Sequence, residues 1–206
     1  MPKQVDHEER RAAIAHALWS LAGDRGLDRV SLRDVAREAG MSLGQLQHYF
    51  GTREEMLFFT MDFISERSGE RTRARIQELP EKTPYAIVHA CLCEMLPLDA
   101  HARQGSLMSI SYYIEALRND RLREHARDGA GRLLALITGQ LELARERREI
   151  PADRDPRREA MLIMSIADGL TSYCHLGLHT AEEALAMARS HLDRLFAAAP
   201  AHETKR

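Results

Sequence analysis

The sequence predicts an all-helical protein, and three observations carry that prediction. Apolar residues recur at i, i+3, i+4 and i+7 in one segment after another, the spacing of a single helix face. β-Branched residues are sparse, and no stretch sustains the period-two alternation of a half-buried strand. Four helix-start signals, each a Ser, Thr or Asp with Glu, Asp or Gln three residues on, fall within the first 55 residues. About nine helices are expected.

The first is expected over His7–Ala22, where Ile14, Ala17, Leu18 and Leu21 form the stripe. Asp6 with Glu9 is its expected cap, and Gly23 and Gly26 its stop. A second starts at Ser31, with Asp34 three residues on, carries Leu32, Val35, Ala36 and Ala39 inward, and ends at Gly40. A third starts at Ser42, with Gln45 three residues on, and buries Leu46 and Phe50. A fourth starts at Thr52, with Glu55 three residues on, and runs long. Further helices are expected near 53–78 (the fourth), 84–96, 100–118, 120–148, 157–177 and 181–197, punctuated by Pro80/Pro84, Pro97, Asn119-Asp120, Pro151/Pro156 and Gly177–Thr180. The expected division is a head over 1–52, a body over 53–197 and a frayed tail over 198–206.

Composition narrows the class. The chain has 206 residues, 44% hydrophobic, 29% charged and 5% aromatic, enough apolar material for a core and against wholesale disorder. The longest nearly unbroken apolar run, Ala160–Ala167, already contains Ser165 and is far short of the roughly 20 residues of a membrane span. Met1–Arg10 has no apolar core of the kind a secretory signal needs, and three cysteines are too few for a disulfide framework, so a reducing cytoplasm is expected. A net charge of −2 excludes a uniformly basic nucleic-acid coat, though not a local basic surface. Lys3, Lys82 and Lys205 are the only lysines among 29 cations; the remaining arginines suit phosphate and guanine, and equally follow from GC-rich coding.

The informative segment is Val30–Phe50: a short helix, a tight turn at Gly40 and a second short helix, the layout of a helix-turn-helix whose second helix enters the major groove. Gly40 supplies a left-handed turn at low cost. With the apolar residues turned inward, the outward face carries Arg33, Ser42, Leu43, Gly44, Gln45, Gln47, His48 and Tyr49, donors and acceptors suited to base edges and phosphates. Arg10, Arg11, Arg25 and Arg29 read as solvated surface, with Arg11 able to touch DNA backbone.

Ser31 through Leu57 resembles the TetR family of bacterial repressors: a Ser, then Val35-Ala36, Ala39-Gly40, Ser42, Gly44, Leu46 and Phe50, followed by a basic residue and Glu54-Glu55-Met56-Leu57. Leu96-Pro97-Leu98-Asp99, the Arg-rich helix to Ile150 and Ile166-Ala167-Asp168-Gly169-Leu170 resemble the ligand-binding half of its BetI-like branch. The resemblance implies a ligand-responsive, cytoplasmic homodimer on a pseudo-palindromic double-stranded operator, released by a small-molecule effector, with no cofactor, no metal and no membrane. Carried over by position, Ser31 and Ser42 cap their helices against phosphates, and Leu43, Gly44 and Gln45 lie at the groove floor. Gln47, His48 and Tyr49 reach bases or backbone, and Arg53 holds a phosphate. The family often has Tyr where this chain has Gln47, so that hydroxyl is lost or shifted to Tyr49. The implied dimer interface lies on the last two helices, at Met161, Leu170, Leu185, Leu192 and Leu195.

The implied effector cavity lies among the middle helices, at Met95, Met108, Ser111, Tyr112, Tyr113, Glu115, Ile137, Met164 and Asp168. Met and Tyr at helical spacing are most often plain core, yet adaptable Met, two hydroxyls and a carboxylate suit a cationic or amphipathic molecule. Substitutions at Tyr112, Tyr113 or Glu115 are expected to change the effector response and leave the DNA affinity of the ligand-free protein alone. Cys91 and Cys93 are two apart on a helix and face apart, whereas His89 and Cys93 can face together, and Cys174, His175 and His179 in part. No CxxC or HExxH spacing occurs, which leaves little for a structural zinc or a Cys–His hydrolase. The competing classes are a helical carrier module without DNA binding and a small helical enzyme.

Overall fold

A computed structural model describes residues 2–197, with side chains from His7 onward. All regular structure among the described residues is helical: α1 (Pro2–Arg25), a 3-10 turn (Leu27–Arg29), α2 (Leu32–Glu38), α3 (Leu43–Tyr49), α4 (Arg53–Glu78), α5 (Pro84–Met95), α6 (Ala100–Ala116), α7 (Asp120–Glu146), α8 (Pro156–His175) and α9 (Ala181–Ala197). The expected tail over 198–206 lies outside the described residues.

The start of α1 corrects the expectation for Asp6. The helix begins at Pro2, so Asp6 is an interior position rather than a cap, while its side chain lies outside the described residues. Proline at the start of a helix is favourable, because its fixed φ is already helical and its missing N–H would have had no partner. Gly23 does not stop α1 either. The helix ends at Gly26, whose φ of 81° only glycine adopts readily. Gly23 instead allows close packing, since a Cβ there would stand 3.3 Å from Cγ of Gln104 on α6.

The chain divides into two compact units: the described residues up to Gly69 with Arg103–Gly129, and Glu70–Ala102 with Ala130 onward. The helix-turn-helix thus shares its unit with α6, where the sequence suggested a boundary after residue 52. In the first unit Ile14 and Leu18 of α1, Val35 of α2, Leu46 of α3 and Leu57 of α4 share one core with Met108 and Tyr112 of α6. In the second, Leu92 of α5, Ile137 and Leu141 of α7, Ile163 and Ala167 of α8, and Ala188 and Leu192 of α9 form another.

Candidate nucleic-acid interface

The two short helices of the head are only seven residues each, too short to persist without help. Capping and tertiary burial provide it. Ser31 Oγ accepts the Asp34 amide at 3.2 Å, and the Asp34 carboxylate accepts the Ser31 amide at 3.2 Å and its hydroxyl at 2.6 Å. Those hydrogen bonds, side chain first, hold the Asp34 carboxyl below its ordinary range. Arg37 donates to the same carboxylate at 2.7 Å. At α3 the device repeats: Ser42 Oγ accepts the Gln45 amide at 3.2 Å, and Gln45 Oε1 accepts the Ser42 amide at 2.8 Å.

Between them the chain turns through Gly40, with φ of 68°. The Met41 amide reaches back to the Ala36 carbonyl at 2.9 Å and the Gly40 amide to that of Arg37 at 3.2 Å, the paired bonds of a Schellman ending. Val35, Ala36, Leu46 and Phe50 are buried against α1 and α4, so rotation of either helix would expose apolar surface. The outward face is fixed by the inward one.

That face carries Arg33, Ser42, Gly44, Gln45, Gln47 and His48 exposed, with Leu43 and Tyr49 half-buried. Arg33, Arg37, Ser42, Leu43 and Gln45 line an open groove of about 560 Å³ around the turn. The Tyr49 ring lies 4.9 Å from that of His7 on α1 and is anchored rather than loose. Arg37 was missing from the sequence-based candidates, although its place four residues after Arg33 on one helix face was signal enough. Gln45 carries two expectations that compete: its carboxamide oxygen closes the cap, which fixes the side chain and leaves both NH₂ hydrogens and one oxygen lone pair outside that bond.

Arg53 stands at the start of α4 in an ion pair. Its guanidinium grips Glu115 of α6 through two bonds, at 2.6 and 2.8 Å, and donates to the Leu27 carbonyl at 3.2 Å. The bond to Glu115 raises the pKa of Arg53 further. Glu115 therefore faces Arg53, a partner that the sequence reading, which put the two residues in different sites, did not contain. Arg11 is likewise engaged, its guanidinium 4.1 Å above the Phe59 ring.

The remaining effector candidates divide between the two cores and the surface. Met108 and Tyr112 are buried in the first, and the Tyr112 hydroxyl is held by His125 Nδ1 at 2.9 Å and the Leu122 carbonyl at 3.2 Å. Burial raises the Tyr112 pKa, so its phenol stays protonated. Ser111 is half-buried and Tyr113 exposed. Ile137 and Met164 are buried in the second core, Met95 is half-buried against it, and Asp168 is exposed on α8.

The interface candidates need a correction. Leu192 is fully buried and Leu195 nearly so within the second core, where Leu170 and Leu185 pack as well, so Leu192 and Leu195 have no surface to offer a partner. Met161 is exposed, as are Leu162 and Tyr173 of α8, Leu176 just past its end and Met187 of α9. Periodicity marks both apolar faces of these helices but not which one turns inward.

Burial pushes the Cys91 thiol up to about 11, which makes it a poor nucleophile. Cys93 Sγ lies 3.8 Å from His89 Nδ1, and Cys174 Sγ 3.3 Å from His179 Nδ1. Among the described residues no three His, Cys, Asp or Glu side chains converge as a metal site, and no helix is long and apolar enough to cross a membrane.

Comparison with known proteins agrees along the chain. Residues 14–58 match the family described as bacterial regulatory proteins, tetR family, and residues 84–197, more than half of the chain, match the BetI-type transcriptional repressor C-terminal family. The HTH-type transcriptional regulator PksA of Bacillus subtilis is 32% identical over 85% of this chain and 83% of its own. The regulator BetI of Rhizobium meliloti is 29% identical over 82% of this chain and 80% of its own. Two crystal structures share the fold: a transcriptional regulator from Rhodococcus sp. Rha1 (TM-score 0.80, 22% identity, 93% of this chain and 98% of that one) and a regulator from Saccharomonospora viridis in complex with choline (TM-score 0.79, 20% identity, 93% and 97%). These relatives are regulators rather than enzymes, and the chain belongs to the TetR family of transcriptional regulators, with a BetI-type C-terminal region.

Proposed function

We propose that the protein is a ligand-responsive repressor that binds a pseudo-palindromic operator as a homodimer and leaves it when a small effector binds. The observation that carries this reading is the α2–turn–α3 face. Two capping boxes and one buried side hold it rigid, and its exposed side is lined by arginine, amide, hydroxyl and imidazole groups around an open groove. Such a face meets phosphate with Arg33, Arg37 and the Ser42 hydroxyl, whose O–H is not spent in its cap as that of Ser31 is, and base edges with Gln47, His48 and the NH₂ of Gln45. In a homodimer two recognition helices would meet successive major grooves, roughly 34 Å apart.

Dimerisation is supported by Met161, Leu162 and Tyr173 of α8 and Leu176 just past its end, large apolar side chains left exposed although the inward side of α8 is already packed. The effector is proposed as a small cationic or amphipathic molecule, a class that fits the choline held by one structural neighbour. Glu115 is no longer its anionic partner, because Arg53 occupies that carboxylate. The test is a gel shift with DNA from upstream of the protein's own gene. A salt-sensitive shift that survives nonspecific competitor, and that a cationic effector reverses, supports the reading. Absence of any such shift at micromolar protein leaves the carrier module as the better description.

A further inference from the structure

Arg53 follows the recognition helix by a few residues, and most of its donors are already committed. Three of its bonds go to Glu115 and to the Leu27 carbonyl. One residue further on, a second tie has its charges exchanged: the Glu54 carboxylate accepts Asn119 Nδ2 at 2.6 Å and Arg121 Nη1 at 3.0 Å. Within this unit, the first turn of α4 is stitched to the end of α6 and the start of α7 by two charge-assisted contacts of opposite polarity.

The exposure of the first pair decides what it can do. The Arg53 side chain is 39% exposed and that of Glu115 is 23% exposed. A pair this open contributes little to stability, and an outside anion can reach its guanidinium. Binding to a duplex draws on net cationic charge, which displaces condensed counterions. An arginine already neutralised by a carboxylate brings none. A phosphate arriving at Arg53 must displace the carboxylate, or share what is left, Nε and one hydrogen of Nη1.

We propose that Glu115 is an internal competitor of the DNA backbone for Arg53. With the ion pair closed, Arg53 braces α4 against α6; with it open, Arg53 is a phosphate clamp. The inference rests on the DNA-binding reading above and adds to it a residue of α6 that sets how much phosphate-binding charge each protomer presents. It also reverses the expectation that substituting Glu115 leaves the DNA affinity of the ligand-free protein unchanged.

The experiment is a salt titration of the full chain on a random-sequence duplex, comparing the wild type with E115Q, E115A and the double variant R53A/E115Q. Removing the competing charge should steepen the dependence of log affinity on log salt by about 0.9 per bound protomer, so that affinity falls roughly threefold further between about 50 and 200 mM salt. E115A, with no side-chain bond left to offer Arg53, should show the same increment, and R53A/E115Q should lose it. A wild type that binds duplex, with E115Q and E115A slopes equal to or shallower than its own at unchanged helical content, overturns the proposal. If neither the wild type nor the variants bind duplex, the DNA-binding reading falls first and the competitor with it.

Discussion

The molecule contains two helix pairs that solve the same local problem and finish their surfaces differently. α2 and α3 begin with capping boxes at Ser31 and Ser42; α8 begins with Asp155 accepting two backbone amides, and Thr180, just ahead of α9, exchanges hydrogen bonds with Glu183. Each pair buries one side in its own unit's core. The outward sides differ. That of α2–α3 is arginine, amide, hydroxyl and imidazole, while that of α8 and α9 shows Met161, Leu162, Tyr173 and Met187. Local capping and inward packing make a helix; the chemistry left outside differs, suited to a polyanion in one case and to an apolar surface in the other.

The sharpest way to break this comparison is to put a charge on each side of the second pair. Leu192→Arg places a guanidinium where the side chain is fully buried, and an uncompensated buried charge of this kind costs about 3–5 kcal/mol. Loss of the second unit's cooperative unfolding transition is expected. Leu162→Arg changes a half-exposed position on the outward face and should leave that transition in place while shifting sedimentation from dimer to monomer. Two variants with the same unfolding midpoint would put the distinction between inner and outer faces in error.

These pairs also show what the sequence made legible. The starts at Ser31, Ser42 and Thr52 are local patterns, a hydroxyl and an acid or amide three residues apart, and each reappears as a hydrogen bond in the structure. Helix limits downstream follow the prolines and glycines closely, because those residues act on the backbone where they stand. Asp6 matched the same cap pattern and is an interior position, since Pro2 starts the helix earlier. The site was legible as a face but not as a set of partners. Arg53 and Glu115 are 62 residues apart, and no periodicity relates them. Leu192 and Leu162 were indistinguishable for a similar reason, because side-chain spacing defines an apolar face without naming what covers it.

A smaller effect separates stability from recognition within the head. Ser42→Ala removes the acceptor for the Gln45 amide and should cost about 1 kcal/mol in denaturant unfolding. Gly44, two residues further on, has nothing within 4 Å of where a Cβ would stand and no positive φ. Gly44→Ala should therefore raise stability by about 0.5–1 kcal/mol, through the usual helix preference for alanine. Its new methyl group points into open space on the face assigned to DNA, so operator affinity should fall while stability rises. If affinity is unchanged, the α3 N-terminal turn is not the part that approaches the duplex.

The smallest effect is electrostatic and confined to the start of α2. Asp34 is held below its ordinary pKa by the Ser31 hydroxyl and amide, with Arg37 adding attraction. A carboxyl whose folded value is depressed stabilises the native state fully above its unfolded value, near 4, and loses that contribution as the pH falls through the lower folded value. Neutral and alkaline solutions should leave the cap intact, and acidification below about pH 4 should loosen it as the carboxylate gains a proton. The Ser31 amide and the first turn of α2 should then exchange hydrogen faster relative to the α3 cap, where Gln45 plays the same role and has no proton to gain. Asp34→Asn should abolish this difference between the two caps, because an amide accepts the same backbone bond without titrating. Equal acid sensitivity at both caps in the wild type would show that the carboxyl is not what distinguishes them.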